Sequence, residues 1–285
     1  MDINDFFPDV NGNLTKITWA HAVNNKTRLA NALNSTVMML EADVIYGKIN
    51  GSGEEIPIMG HPPANESDLS LEEFLKTTYN YNKDKNNNSA RKGVKLDFKS
   101  TEVFKKSVDL IQNLYTSIDY PMWINADIIS GPLNATTVPV DATEFLTQAK
   151  NFTKSVLSLG WTTTKPSANT FYTNSQIDTM VQAIKTNEVR QEITFPVRAG
   201  IAAQSFDQMK ALKSKFDNCT LTVWSSDGDD VNVPKLRDVI FEFGVKRVYI
   251  DVPQELYDRL DLGNAASSGQ GSLALLAGMV TLFFK

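Results

Sequence analysis

Strand-like and helix-like segments alternate from one end of this 285-residue chain to the other, and no other feature narrows its possible folds as far. Runs rich in β-branched and aromatic residues are expected as strands at Ile17–Val23, Met38–Tyr46, Gly93–Lys99, Met122–Ile129, Val156–Trp161, Ile193–Ala199, Leu221–Ser225 and Arg247–Val252. Between them Leu71–Tyr79, Glu102–Tyr115, Thr143–Lys154, Ser175–Thr186, Phe206–Phe216 and Val233–Phe243 repeat apolar residues at helical spacing. Ser70 with Glu73 three positions on reads as a capping box, and Asp68 before Leu69 as a weaker start signal. Parallel strands need a crossover, and helices supply it, so the alternation predicts an α/β fold, one (β/α)8 TIM barrel with no interdomain linker.

Two stretches depart from the repeat. Gly47 to Glu55 is Gly-rich and polar, and Ile56–Met59 returns as a short apolar run, which predicts a hairpin-like insertion after strand 2 that ends at Gly60-His61-Pro62-Pro63. Asn80 to Ser89 is low in complexity and reads as an exposed loop. The expected organisation is an N-terminal lead over 1–13, the barrel over 14–262, and a small-residue linker with a hydrophobic tail over 263–285.

Composition bounds the function classes. An apolar content of 42% suffices for a large core, and a net charge of −5 with no basic stripe excludes nucleic acid as a partner. Cys219 stands alone, so no internal disulfide and no Cys-based metal site is expected. The solitary cysteine fits the cytosol, whereas Asn-x-Ser/Thr acceptors at Asn13, Asn25, Asn34, Asn50, Asn65, Asn87, Asn134, Asn151 and Asn218 fit a secreted glycoprotein. Met1-Asp2-Ile3-Asn4-Asp5 shows no apolar signal region, yet small residues from Gly263 to Ser268 precede Leu273–Phe284, about a dozen apolar residues as in a GPI-addition tail. That tail is shorter than the roughly 20 residues of a spanning helix, and a terminal helix docked on the barrel reads it equally. The expectation is an extracellular or cell-surface protein, the alternative a cytoplasmic one. Membrane association is expected only through the processed tail.

The chemistry lies where charge falls on strands. The two histidines, His21 and His61, each sit where a strand-like run meets a loop, as active-site residues do at the C-terminal end of barrel strands. In Met38-Met39-Leu40-Glu41-Ala42-Asp43-Val44 the apolar positions alternate with two carboxylates, so Glu41 and Asp43 share the inward face. Val94-Lys95-Leu96-Asp97-Phe98-Lys99 alternates more sharply: an antiparallel edge strand would do so, but a strand inside a β/α repeat is buried on both faces and its charges need inward partners. Glu41, Asp43 and Asp97, with no cysteine and little histidine, make an oxygen-rich set that suits Mg²⁺, or Ca²⁺, rather than zinc. Asn125 and Asp127 share a face of the fourth strand and extend a polar floor. Trp161 and Trp224, ending strands five and seven, either line the mouth or pack.

The order His21-x-Val23-Asn24, Glu41-x-Asp43, His61 and Asp97-x-Lys99 resembles the phosphatidylinositol-specific phospholipase C-like phosphodiesterases, and within them the sphingomyelinase D toxins of spiders. Ile17-Thr18-Trp19-Ala20-His21-Ala22, Met39-Leu40-Glu41-Ala42-Asp43-Val44, Pro57-Ile58-Met59-Gly60-His61-Pro62-Pro63, Lys95-Leu96-Asp97-Phe98-Lys99-Ser100, Trp123-Ile124-Asn125-Ala126-Asp127-Ile128, Ser158-Leu159-Gly160-Trp161-Thr162-Thr163 and Phe195-Pro196-Val197-Arg198-Ala199 look more closely like the menorin family, in order from Ile17 to Asp251. By analogy with the toxin branch, the resemblance implies Mg²⁺ on Glu41, Asp43 and Asp97, His21 as nucleophile or general base, His61 as general acid and Lys99 on the phosphate. Asn24 and Lys95 are placed with the substrate groups. Glycerophosphodiesterase relatives carry an Arg directly after the first His; this chain has Ala22, as the toxin branch also lacks that Arg, and Arg198 is the candidate replacement.

Two functions follow. One is a metal-dependent phosphodiesterase acting on a phospholipid or small phosphodiester, with release of a cyclic phosphate if a substrate hydroxyl attacks. The other, implied by menorin's role as an extracellular cue in shaping dendrites, is a non-enzymatic binding module acting with cell-surface adhesion proteins and receptors.

Overall fold

The computed structural model describes residues 2–85, 90–132, 135 and 137–263. The linker and apolar tail after Gly263, the sequons at Asn87 and Asn134 and residues 86–89 lie outside the described residues, and the expected Asn80–Ser89 loop begins as helix, its first four residues being the last turn of Leu71–Lys83 with Asn82 buried. Strands β1 (Trp19–Ala20), β2 (Met39–Ile49), β3 (Ser52–Met59), β4 (Glu66–Ser67), β5 (Gly93–Phe98), β6 (Met122–Ile129), β7 (Val156–Trp161), β8 (Ile193–Arg198), β9 (Thr220–Trp224) and β10 (Val248–Asp251) form one sheet. Helices α1 (Ile3–Phe6), α2 (Lys26–Leu33), α3 (Leu71–Lys83), α4 (Thr101–Tyr115), α5 (Ala142–Ala149), α6 (Asn174–Thr186), α7 (Ala199–Ala202), α8 (Phe206–Lys215), α9 (Val233–Phe243) and α10 (Gln254–Leu260) occupy the connections. The barrel path runs β1-β2-β5-β6-β7-β8-β9-β10, all parallel, with β3 and β4 paired to β2 outside it. The chain is a (β/α)8 barrel. Among the described residues no helix is long and apolar enough to cross a membrane.

The first barrel strand is far shorter than the expected Ile17–Val23. Leu14–Lys16 is a 3-10 turn and Ala22 takes a left-handed φ of 54°, so only Trp19 and Ala20 pair with Met39 and Leu40. The barrel closes at this point through side chains and one backbone hydrogen bond rather than a strand ladder. His21 meets Asp251, the Trp19 ring meets Tyr249, and the Leu14 amide donates to the Val245 carbonyl.

β2 outruns the barrel and folds back antiparallel onto β3, with Ile49 opposite Ser52. Asn50 and Gly51 make the turn with φ of 49° and 69°, the doubly left-handed pair whose twist matches the two strands. Of the expected Ser70 capping box only half forms: the Ser70 hydroxyl accepts from the Glu73 amide, but the Glu73 carboxylate pairs with Lys26 at 2.7 Å. The complete box is at Thr173 and Gln176. The helix expected over Thr143–Lys154 ends at Ala149, and the strand expected to reach Ala199 gives way there to α7.

In-register parallel pairing lets the inward positions be followed around the barrel. Glu41 lies opposite Lys95; Asp43 opposite Asp97, itself opposite Asn125; Asp127 opposite Gly160; and Trp224 between Arg198 and Asp251. Towards the strand N-termini Trp19, Trp123 and Tyr249 plug the interior, with Trp123 stacking edge-on at 5.4 Å and 4.8 Å from its two neighbours. The interior is therefore aromatic at one end and charged at the other.

Gly160 makes room for that charge, since a Cβ there would sit 2.1 Å from Asp127 Oδ1 and 3.1 Å from Pro196 Cγ. Gly160→Ala is expected to lower stability by about 1–3 kcal/mol, the usual cost of overpacking, in urea unfolding followed by tryptophan fluorescence. An unchanged midpoint would show that Asp127 does not occupy the barrel axis.

Candidate functional site

The charged end opens as a cavity of about 490 Å³ at the C-terminal mouth of the strands. Glu41, Asp43 and Asp97 bring one carboxylate oxygen each within 4.8 Å of the other two. Glu41 and Asp43 are almost wholly buried. Each carboxylate has fixed partners: the Ala22 amide donates to Glu41 Oε2 at 2.8 Å, Asn24 Nδ2 to Asp43 Oδ2 at 2.7 Å, and Asn125 Nδ2 to Asp97 Oδ1 at 2.6 Å. Lys99 Nζ bridges Asp43 Oδ1 at 2.7 Å and Asp97 Oδ2 at 2.5 Å. The left-handed Ala22 turns its amide onto Glu41, which gives a structural task to the position where an Arg was absent.

Two imidazoles border this cluster. His21 Nδ1 lies 3.1 Å from Asp251 Oδ2 and 3.3 Å from Glu41 Oε2. Its side chain is 58% exposed, but the Nδ1 edge is wedged between buried carboxylates, leaving Nε2 as the nitrogen that meets solvent or substrate. His61 Nδ1 is 2.7 Å from the Pro62 carbonyl. A carbonyl only accepts, so His61 carries its proton on Nδ1 and exchanges protons at Nε2.

The structure brings His21, Asp43, His61, Lys95, Asp97, Lys99, Asn125, Asp127, Arg198 and Trp224 to one cavity wall. Glu41 lies behind it, within reach of Asp43 and Asp97. Asn24 acts from outside: its side chain also accepts from the Asp43 amide at 2.9 Å, so it clamps a carboxylate rather than touching the cavity. Trp161 does not line the mouth. Gly160 faces inward, so Trp161 points to the helix layer, where its indole donates to the Gln176 carbonyl at 3.2 Å and packs on Tyr172 and Phe195. Arg198 faces the cavity but is already held in a fork by Asp229, Nε to Oδ2 and Nη2 to Oδ1 at 2.7 Å each, and lies over the Trp224 ring.

Two carboxylates went unforeseen. Asp251 ends the last barrel strand in Tyr249-Ile250-Asp251, and its alternation with apolar neighbours was the available signal. Asp229 sits in the loop after β9, where no local pattern separates it from Asp227 and Asp230.

Residues 13–257 match the model of the Menorin N-terminal domain. The chain belongs to the menorin family. Human Protein FAM151B is 38% identical over 240 residues, covering 83% of this chain and 82% of that protein. Among solved structures, a Toxoplasma gondii chain described as an orotidine-monophosphate-decarboxylase aligns over 85% of this chain and 94% of its own at a TM-score of 0.35 and 8% identity.

The donor set of this menorin domain fits a hard cation. Oxygens on one ion are at most about 4.2 Å apart for Mg²⁺ and about 5 Å for Ca²⁺, twice the metal–oxygen distance. The 4.8 Å limit here falls inside the second and needs a small contraction for the first. Each carboxylate oxygen that already accepts one hydrogen bond retains a second lone pair.

Electrostatics point the same way. Burial drives Glu41 up to about 7, with His21 pulling it back and Asp43 adding to the rise. Glu41 in turn raises His21 to about 9, against its burial and with help from Asp251. Burial, then Asp97, lifts Asp127 to about 7. Burial would also lift Asp97, but Lys99 and Lys95 outweigh it and hold Asp97 below the usual carboxylate range. Lys99 is raised well above its ordinary value, its burial overcome by Asp97 and Asp43. Glu41, His21 and Asp127 thus all hold their protons more tightly than the free side chains do.

These three groups bind protons more tightly folded than unfolded, so their stabilisation is complete at low pH and is lost as pH rises through the folded values of about 7 and 9. In EDTA, thermal stability is expected to fall between about pH 5 and pH 8, and more shallowly in His21→Gln than in wild type. Stability that is flat or rising over that range in scanning calorimetry would contradict this charge assignment.

Proposed function

We propose that this menorin domain is a divalent-metal phosphodiesterase whose site is the mouth of the barrel. The observation that carries the reading is the convergence of Glu41, Asp43 and Asp97 beside Lys99 and two imidazoles, in a cavity large enough for a small ligand. A barrel without such chemistry gains from replacing buried charges by apolar residues, so keeping them argues for use.

Glu41, Asp43 and Asp97 would hold Mg²⁺, or Ca²⁺, which when bound neutralises phosphoryl charge. Asp251 accepts from His21 Nδ1 and fixes its ring beside Glu41; a cation on Glu41 would offset the carboxylate that holds the His21 proton, leaving Nε2 either to take a proton from the attacking hydroxyl or itself to attack phosphorus. His61, its Nδ1 proton donated to the Pro62 carbonyl, delivers a proton from Nε2 to the departing oxygen. Lys99, held between two carboxylates, is positioned as a point charge for a non-bridging oxygen, and Lys95 supplies a second ammonium on the same strand. The order of these residues resembles the phospholipase C-like phosphodiesterases, which supports the reading.

Calorimetric titration of the purified chain with MgCl₂ is expected to show a site whose affinity drops about tenfold or more in Glu41→Gln and Asp97→Asn. Turnover of a phosphodiester panel should require the metal and fall by about 10²–10⁴ in His21→Ala, with metal binding retained. Metal binding with no turnover in wild type would leave a binding module acting with surface partners, and no metal binding would remove the basis of the reading.

A further inference from the structure

Asn-x-Ser/Thr sequons run the length of the chain, and the proposed reaction uses none of them. The fold divides those among the described residues by what the asparagine side chain does. Asn13 and Asn25 are half-buried and cap helical turns: Asn13 Oδ1 accepts from the Thr15 amide at 3.2 Å and the Thr15 hydroxyl at 2.6 Å, and Asn25 Oδ1 from the Arg28 amide at 2.8 Å. The carboxamide is planar, so pinning its oxygen pins its nitrogen too. Asn34, Asn50, Asn65, Asn151 and Asn218 are exposed. Among the described residues the side chains of Asn34, Asn50, Asn65 and Asn218 make no hydrogen bond, and that of Asn151 makes one, of 3.4 Å, to the Thr147 carbonyl. An oligosaccharide is bulky and hydrated, so a folded chain accommodates it only on an amide that opens to solvent.

The placement of the exposed asparagines follows the β/α repeat. Asn34 caps the C-terminus of α2 ahead of β2, Asn151 lies between α5 and β7, and Asn218 lies between α8 and β9. A segment that leaves a helix and enters a barrel strand runs at the N-terminal end of the strands, the face opposite the cavity. β2, β7 and β9 are not neighbours on the barrel path, so these asparagines are spread around that face. Asn50 makes the turn of the hairpin insertion, and Asn65 lies beside its outer part, with its carbonyl accepting from the Lys48 amide. None of the exposed sequon asparagines lines the cavity.

We propose that Asn34, Asn50, Asn65, Asn151 and Asn218 carry N-linked glycans, which coat the face opposite the cavity and the hairpin and leave the cavity lining bare. The co-reactant is a lipid diphosphate oligosaccharide of the secretory pathway. Asparagine Nδ2 loses one proton and bonds to the anomeric carbon, whose bond to the diphosphate oxygen breaks, and the lipid diphosphate departs with the electron pair. This inference stands apart from the phosphodiesterase reading and holds for an enzyme or a binding module. The test uses the native protein, immunoprecipitated from its own tissue, denatured and treated with peptide N-glycosidase in water enriched in heavy oxygen, which turns each glycan-bearing asparagine into a labelled aspartate. A parallel digest without the enzyme accounts for spontaneous deamidation at Asn50-Gly51. Peptide mass spectrometry is expected to find the label at the exposed asparagines and unmodified asparagine at Asn13 and Asn25. In the same cells, Asn34→Gln, Asn151→Gln and Asn218→Gln should each remove one mobility step on a denaturing gel, and Asn25→Gln none. Absence of label from all the exposed sequons would overturn the proposal, and so would label at Asn13 or Asn25, because it would show that side-chain placement does not select the sites.

Discussion

Carboxylates that the strand period forces inward, and the cations that make them tolerable there, govern this structure. Glu41 and Asp43 are buried and Asp97 is half-buried on the inward face of a two-sided sheet, where unpaired charge is costly. Lys99 answers two of them directly, Asn24 and Asn125 answer their second oxygens, and the backbone of Ala22 answers Glu41. The left-handed turn at Ala22 and the glycine at position 160 are local costs that this arrangement imposes on the surrounding chain.

Barrel closure and site assembly are one event. β1 contributes only two residues to the ladder, so the seam between first and last strands depends on His21 with Asp251 and Trp19 with Tyr249. A histidine assigned to catalysis is thus also a closing contact, with its ring set by the strand that arrives last in the chain. The aromatic plug below isolates the polar mouth from the far end, and the low-dielectric walls strengthen every charge interaction above it.

Much of this was legible in the chain because both relevant periods are short. Charge at every second residue of Glu41-Ala42-Asp43 and Lys95-Leu96-Asp97-Phe98-Lys99 reports the inward face directly, and eight β/α repeats report the architecture. Position at a strand end left two tryptophans open between lining the mouth and packing, and the structure separates them. Trp161 ends its strand as Trp224 does, but it occupies the outward phase and packs under α6, whereas Trp224 occupies the inward one. Asn24 was assigned to the substrate and instead clamps Asp43, because the left-handed residue at Ala22 redirects the chain in a way no periodicity encodes.

The sequence by itself determined the fold class and the inward phase of each charged strand, since these rest on spacing between near neighbours, and its ordered motifs carried the resemblance to the family. Only the tertiary structure decided which charges answer one another. The pairing of His21 with Asp251 spans 230 residues, that of Arg198 with Asp229 spans 31, and the Asn125 Oδ1 is left without a partner only once Asp97 has claimed the amide. Such contacts depend on the closure of the sheet into a cylinder, a global constraint that brings strand ends together regardless of their separation along the chain.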